Sequence, residues 1–245
     1  MHRRHALLAL PALLAARGAL AQGSGPIRVA TDATFPPFES LEDGKPVGFD
    51  IDLVNAVGAR IGRPVEWTSI DFKGLIPGVL ARRFDMAVSA IYITPERERV
   101  VNFSDPYYEG GLVVLKHRDN AALNVPADLA GKTVSVQVGT KSVSFLAQNY
   151  TSTRVTQVET NAQMFDMLRT RRVDAAVTGR PAALLFARAN PEFMVMPEPL
   201  TNENYGMAIH KDLVPLRDGV NAALKAMRDD GSYRALVTKW FGDAA

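Results

Sequence analysis

The chain has 245 residues, of which 47% are hydrophobic and 22% are charged. This balance supplies enough apolar material for a core, and the length allows one or two globular domains. The absence of cysteine excludes disulfide bonds, thiolate metal sites and a cysteine nucleophile.

The first 21 residues have the order of a secretory signal peptide. Residues 1–5 are basic, residues 6–16 form an apolar run too short to span a bilayer, and residues 19–21 form a small-x-small cleavage site. We expect cleavage after Ala21 and a periplasmic location. The alternative is a buried N-terminal helix, which the absence of a polar face disfavours.

The net charge argues against nucleic acid as a partner. Removal of residues 1–21 takes away Arg3, Arg4 and Arg17 and no acidic residue, so the formal charge changes from +2 to −1. A nearly neutral chain without a long basic run is not typical of a nucleic-acid-binding protein.

Strands and helices alternate along the rest of the chain. In chain order, the first unit has strands at 26–31, 65–70 and 85–90, with helices at 48–61 and 72–83. The second unit has strands at 133–137, 155–158 and 173–178, with helices at 142–150 and 161–171. Two helices around 229–232 are predicted for the tail, 213–241.

This alternation predicts an α/β fold with two lobes, each a mostly parallel sheet flanked by helices. The crossings between the lobes are predicted at 107–111 and 202–206, so the chain visits lobe 1, then lobe 2, and returns. The predicted domains are a signal peptide at 1–21, lobe 1 at 22–109 and 206–245, and lobe 2 at 110–205, which includes the hinge segments.

The ends of the predicted strands locate the binding site. In open α/β sheets, ligands bind beyond the carboxyl ends of the strands. The segments selected by this rule are 32–38, 70–72, 89–97, 137–142 and 178–180. With two lobes, these ends can face one another across a cleft.

Arg97 is the strongest single candidate, since it lies in a turn into a short helix just past a buried strand. A guanidinium there can hold a carboxylate through two charge-assisted hydrogen bonds. The alternative is a surface arginine paired with Glu96 or Glu98.

The other candidates are weaker when each is taken alone. Residues 139–142 follow a strand and begin a helix, where free N–H groups favour an anion, although a tight turn with an ordinary N-cap gives the same pattern. Phe35, Phe38 and Phe72 are placed to line an apolar pocket or to fill the core. Asp32 is placed to receive an amine or to cap a turn.

Catalytic chemistry is difficult to assemble from this sequence. His117 and His210 are expected at the surface, beside lysines, and no serine-hydrolase or zinc-protease motif is present. We therefore expect no catalytic residue, no metal site and no cofactor.

Eight stretches, taken in order, resemble the polar amino-acid class of periplasmic solute-binding proteins that feed ABC transporters (bacterial extracellular solute-binding protein family 3). Gly48-Phe-Asp-Ile-Asp-Leu53 is the most signature-like element. The stretches are 30–38, 47–53, 71–77, 93–97, 102–108, 138–140, 205–208 and 239–242.

The resemblance implies a hinged periplasmic binding protein of type II that closes on a polar amino acid or related small carboxylate. It implies no enzymatic activity, and its partners are the small-molecule ligand and a membrane permease. We expect a monomer. The enzymatic alternative is a cyclohexadienyl dehydratase-like protein on the same scaffold, but residues 178–180 offer no general acid.

The resemblance also implies roles for individual residues. Arg97 and Thr140 match positions that meet an α-carboxylate, Phe72 matches an aromatic that stacks on the ligand, and Asp32 and Phe35 match contacts to its side chain. The full predicted ligand-binding set is Asp32, Phe35, Phe72, Ser89, Ala90, Tyr92, Arg97, Gln137, Gly139, Thr140, Lys141 and Gly179.

Three of these positions depart from the family's pattern. The family commonly has Ser or Thr at the position of Tyr92, and Lys or an apolar residue at that of Gln137. At the position of Gly179 it usually has an Asp that receives the α-ammonium. A buried ammonium without an anionic acceptor is costly. Either Asp32, Glu39 or backbone carbonyls receive the ammonium here, or the ligand lacks it.

Overall fold

The computed structural model describes residues 25–242. The predicted signal peptide therefore lies outside the described residues. Within them, no helix is both long enough and apolar enough to cross a membrane.

The strands are β1 (Ile27–Thr31), β2 (Ser40–Glu42), β3 (Lys45–Val47), β4 (Val65–Ser69), β5 (Met86–Ala87), β6 (Asn102–Phe103), β7 (Tyr108–Glu109), β8 (Leu112–His117), β9 (Thr133–Gln137), β10 (Arg154–Val158), β11 (Ala175–Gly179), β12 (Phe193–Val195), β13 (Asn204–Tyr205) and β14 (Ala208–Ile209). The helices are α1 (Phe49–Arg60), α2 (Leu75–Leu80), α3 (Pro95–Glu98), α4 (Lys141–Asn149), α5 (Asn161–Arg169), α6 (Arg180–Ala189), α7 (Val214–Asp229) and α8 (Ser232–Phe241). Short 3₁₀ turns cover Phe72–Gly74 and Pro126–Leu129.

Two five-stranded sheets form the two lobes. The sheet of lobe 1 has the order β4-β1-β5-β14-β6, and the sheet of lobe 2 has the order β10-β9-β11-β8-β12. In each sheet a single strand, β14 or β8, runs against its neighbours. The predicted α/β fold, with two mostly parallel sheets flanked by helices, is confirmed.

Each of these reversed strands directly follows a crossing between the lobes. The chain leaves lobe 1 through β7 into β8 and returns through β13 into β14. Strands β7 and β13 pair antiparallel, so the two crossings lie side by side as a hinge. The predicted domain boundaries at 109/110 and 205/206 fall at this pair and stay a prediction.

Two predicted elements are shorter in the structure than in the sequence analysis. The helix expected at 72–83 is a 3₁₀ turn followed by α2, and it stops because Arg82 takes a left-handed backbone (φ 55°). The strand expected at 85–90 is only β5, because Ala90 has φ 44° and donates its N–H to Asp50 Oδ2 at 2.9 Å instead of to a strand.

The expectation that His117 is at the surface is wrong. It lies on β8, which has a strand on either side, and its Nε2 is 3.1 Å from Leu168 O. Its ring packs on Phe193 with the centroids 4.4 Å apart. The prediction rested on the neighbouring Lys116, which was taken to be exposed. This lysine is itself buried and donates to backbone carbonyls. His210 is half-buried.

The core of lobe 1 is anchored to the hinge by aromatic rings. Phe38 is fully buried, and the rings of Tyr108 and Tyr205 on the hinge strands lie with centroids 5.1 and 5.3 Å away. Phe49 of α1 and Phe241 of α8 contact the same ring at 6.0 and 5.2 Å. The hinge strands therefore rest on a packed surface.

We predict that Phe38→Ala lowers the free energy of unfolding by about 3–5 kcal/mol, because it removes the ring shared by this cluster. Urea unfolding monitored by fluorescence measures the loss. The control is Leu41→Ala, since this side chain is 53% exposed and its truncation should cost less than about 0.5 kcal/mol. Equal losses in the two variants would contradict the packing described here.

Candidate functional site

A narrow cavity lies between the lobes, at the carboxyl ends of β1, β5, β9 and β11. The lining residues are Phe35, Phe72, Ser89, Ala90, Tyr92, Leu112, Gln137, Thr140, Lys141, Ser142, Val177, Thr178, Gly179 and Tyr205.

Most of the predicted site residues line this cavity. Those that do are Phe35, Phe72, Ser89, Ala90, Tyr92, Gln137, Thr140, Lys141 and Gly179. Three predicted residues, Asp32, Arg97 and Gly139, do not line the cavity themselves. Asp32 and Arg97 form hydrogen bonds with lining residues, and Gly139 is next to a lining residue in the chain. Their roles in ligand binding stay a prediction.

The cavity is also lined by Leu112, Val177 and Tyr205, which were not predicted from the sequence. Leu112 and Val177 are apolar strand residues, which in a sequence are indistinguishable from core. Tyr205 was assigned to the hinge only. Ser142 and Thr178 lay inside segments selected by the strand-end rule, although neither was singled out.

The lobes are closed over the cavity by polar contacts. Gln137 Nε2 of lobe 2 donates to Asp32 Oδ2 of lobe 1 at 2.6 Å. At the rim, Lys73 Nζ of lobe 1 pairs with Glu159 Oε1 of lobe 2 at 2.7 Å, with both side chains about half exposed. The Gln137 bond is buried, so it is the less screened of the two.

The two lobes approach each other closely at Gly139. This residue has φ 76°, and a Cβ built on it would lie 2.9 Å from Lys73 Cα in the other lobe. Glycine is required here both for the left-handed backbone and for the absence of a side chain.

Arg97 is held in place before any ligand arrives. It lies in α3, and Thr94 Oγ1 caps this helix by accepting from Arg97 N. The guanidinium donates to Tyr92 O at 2.9 Å and, across the cleft, to Gly139 O at 3.3 Å. Its carbon lies 5.7 Å from the centre of the Phe72 ring.

No carboxylate among the described residues forms an ion pair with Arg97. Glu96 is instead 3.8 Å from Arg99. Burial lowers the pKa of Arg97 to about 10. The alternative of a surface arginine paired with Glu96 or Glu98 therefore does not describe this structure.

The cavity wall at Ser89 and Ala90 is supported by two fully buried carboxyl groups. Glu39 Oε1 accepts from Ser89 Oγ at 2.7 Å, and Asp50 Oδ2 accepts from Ala90 N and from Tyr107 Oη, each at 2.9 Å. The second oxygen of each carboxyl group, Glu39 Oε2 and Asp50 Oδ1, is buried and has no recorded hydrogen-bond partner among the described residues.

A single proton held between the two carboxyl groups would give both of these oxygens a hydrogen-bond partner. Burial, with the charge of Asp50 as the next cause, raises the pKa of Glu39 well above its ordinary value. Burial also raises the pKa of Asp50, to about 6. Both shifts favour a protonated carboxyl group in this pair.

Two tyrosines fill the space beside Gly179. A Cβ at this position would overlap the Tyr205 hydroxyl oxygen and would lie 3.2 Å from the tip of Phe35. Tyr205 Oη and Tyr92 Oη are 3.2 Å apart, and both side chains are buried. An Asp side chain at 179 would have no room in this arrangement.

Comparison with known proteins identifies the relatives of this chain. The family model for bacterial extracellular solute-binding proteins, family 3, matches residues 27–243. ABC transporter arginine-binding protein 1 of Escherichia coli (strain K12) is 31% identical over 240 residues, which is 96% of this chain and 98% of that protein.

Two solved structures extend the similarity to the fold. An ancestral arginine-binding protein bound to glutamine has a TM-score of 0.85 at 36% identity, covering 91% of this chain and all of that one. An ancestral amino-acid-binding protein, described as a precursor of cyclohexadienyl dehydratase, has a TM-score of 0.83 at 37% identity, covering 89% and 96% of the two chains.

We predict that stability falls as the pH rises from about 4 through the raised pKa values of Glu39 and Asp50. The folded protein binds a proton that the unfolded Glu39 and Asp50 release near pH 4, so the stabilisation is complete at low pH and is lost as pH passes the raised pKa values. The slope reaches about 1.4 kcal/mol per pH unit while one proton is released. Urea unfolding between pH 5 and 9 measures it.

The variant that tests this is Glu39→Gln, whose amide donates to Asp50 and accepts from Ser89 but cannot ionise. It should flatten the alkaline loss of stability. Glu42→Gln is the control, because Glu42 is an exposed carboxylate on the neighbouring strand β2. If both variants keep the wild-type slope, the pair does not share a proton.

Proposed function

This chain belongs to the bacterial extracellular solute-binding proteins, family 3, and we propose that its lobes close on the carboxylate of a small solute held by Arg97. It is the substrate-binding component of an ABC transporter for a polar amino acid or a related small carboxylate, like the relatives named above. The proposal assigns the contacts through which it binds.

Arg97 is the observation that carries this proposal. Its guanidinium has five N–H groups, of which two are bonded to backbone carbonyls, so three remain for a ligand. It is desolvated without an anionic partner, which is costly unless an anion completes the site. The ring of Phe72 keeps it from turning away.

The second lobe supplies further groups that favour an anion. Thr140, Lys141 and Ser142 line the cavity at the start of α4, where backbone N–H groups lack helical acceptors. Thr140 Oγ1 donates to Gln137 O and so does not cap these N–H groups. A carboxylate held between Arg97 and α4 would be bound by both lobes only in the closed form.

The remaining cavity surface suits the rest of the solute. Phe35 and Phe72 present aromatic faces, and Leu112 and Val177 are apolar. Known relatives are periplasmic or extracellular binding proteins of ABC transporters. We therefore propose export with cleavage after Ala21, action as a monomer, and delivery of the solute to a membrane permease.

A second candidate function is dehydration of a carboxylate, and the likeness to a described dehydratase precursor favours it. That neighbour is itself called an amino-acid-binding protein. A dehydratase needs a positioned general acid. Among the described residues, no carboxyl group or histidine lines the cavity, and Glu39 stands behind Ser89. Binding without chemistry is the better fit.

We predict that Arg97→Gln weakens binding of carboxylate solutes at least about 100-fold, because two charge-assisted hydrogen bonds are lost. A thermal-shift screen of amino acids, opines and dicarboxylates identifies hits, and calorimetry then measures their affinity. Arg99→Gln is the control, since this arginine lies two residues away with an exposed side chain. Unchanged affinity in Arg97→Gln would refute the assignment.

We predict that Gly139→Ala weakens the binding of those hits about tenfold, because its Cβ would hold the lobes apart at Lys73. The control is Gly131→Ala, which also has a positive φ (73°) but has no atom within 4 Å of the added Cβ. Each variant should lose about 1–2 kcal/mol of stability from backbone strain, but only Gly139→Ala should lose affinity. Equal affinities would mean that closure does not require this contact.

A further inference from the structure

We infer that the ligand carries a hydrogen-bond acceptor, an oxo or hydroxyl oxygen, and no ammonium group on the carbon next to its carboxylate. This rests on the proposed function, in which Arg97 holds the carboxylate. It narrows the solute to a 2-oxo or 2-hydroxy acid. Three features of the cavity support it. No carboxylate is found among its described lining residues, the space beside Gly179 is filled, and a phenolic hydroxyl is available as a donor.

No aspartate or glutamate in the described part of the chain lines the cavity. Three carboxyl groups contact lining residues from behind. Asp32 Oδ2 accepts from Gln137, Glu203 pairs with Lys141, and Glu39 is fully buried behind Ser89. An ammonium in the closed cavity would therefore meet no carboxylate among the described lining residues.

Neutral acceptors cannot replace a carboxylate here. A buried cation with only neutral dipoles around it keeps most of its desolvation cost. The guanidinium of Arg97 adds to that cost, because it lies beside the cavity without an anionic partner among the described residues. A backbone carbonyl could accept a proton from the ammonium, but it would leave the charge unbalanced.

The space beside Gly179, where an acidic side chain at this position would lie, is occupied. The hydroxyl of Tyr205 lies where a side chain at 179 would begin, and Tyr92 Oη is 3.5 Å from the same point. Both rings are buried and pack on each other with centroids 4.6 Å apart. Two uncharged phenols therefore form this wall.

The hydrogen bonds of Tyr92 show which kind of ligand atom this wall receives. Tyr92 Oη accepts from Gly111 N at 3.1 Å and from the Tyr205 hydroxyl at 3.2 Å. Because the two phenols share one hydrogen bond and the other comes from Gly111 N, one phenolic O–H is left as a donor to the cavity that both tyrosines line. Burial raises the pKa of Tyr92 to about 12, so this proton stays in place. A donor at this point matches an oxygen and opposes an ammonium.

The test compares matched triplets that share one side chain and differ only at the carbon next to the carboxylate. The probes are phenylpyruvate, phenyllactate and phenylalanine; 2-oxoglutarate, 2-hydroxyglutarate and glutamate; and 4-methyl-2-oxopentanoate, 2-hydroxy-4-methylpentanoate and leucine. Calorimetry on the purified protein gives each affinity. We expect the oxo or hydroxy acid to bind at least tenfold more tightly than the amino acid in every triplet that binds.

Tyr92→Phe then identifies the cause of this preference. The ring is kept and only the hydroxyl is lost, so the affinity of the preferred acid should fall about tenfold while that of the amino acid does not fall. Tyr150→Phe is the control, because this tyrosine lies at the end of α4 and does not line the cavity. It should leave all affinities unchanged.

The outcomes separate the inference from the function on which it rests. If the amino acid is the tightest member of a triplet and Arg97→Gln abolishes its binding, the inference is overturned and the proposed function stands. An equal effect of Tyr92→Phe on all three members also overturns the inference. If no member of any triplet binds, or if binding survives Arg97→Gln, the proposed function fails and the inference fails with it.

Discussion

The site depends on two buried carboxyl groups, those of Glu39 and Asp50. These carboxyl groups come from the loop after β1 and from α1, and together they hold the Ser89–Ala90 segment at the end of β5. Ala90 has a left-handed backbone, and its N–H has its partner in Asp50 Oδ2, not in the sheet. Because this segment leads directly to Tyr92 and Arg97, the positions of these two residues depend on two acids that are both buried away from water.

Closure joins two half-sites that are each incomplete. In the proposed site, lobe 1 supplies Arg97 and Phe72, whereas lobe 2 supplies the start of α4. A solute can shift the open–closed equilibrium only by the difference between its affinities for the two forms. The bridge from Gln137 to Asp32 and the exposed pair of Lys73 and Glu159 join the two lobes through the protein's own side chains.

The sequence was sufficient for the architecture and for most of the lining, because alternating periodicity and the strand-end rule are local signals. It could not reveal how residues distant in the chain share space. Tyr205 reaches the cavity only because the second crossing lies against the first, and it fills the space beside Gly179 from 26 residues further along the chain. The proximity of Glu39 and Asp50 cannot be predicted from the sequence either, because each residue taken alone has the pattern of an ordinary exposed acid. His117 was misplaced because a charged neighbour normally indicates solvent.

Tyr205 belongs to the hinge and to the cavity wall at once. Its backbone pairs with Tyr108 across the crossings, and its ring contacts whatever fills the cleft. A substitution at Tyr205 that changes the preferred solute would also change the fraction of ligand-free molecules in the closed form. For a fluorescent biosensor built on this scaffold, selectivity and signal amplitude would change together, so the ring at 205 is the wrong place to adjust either one alone.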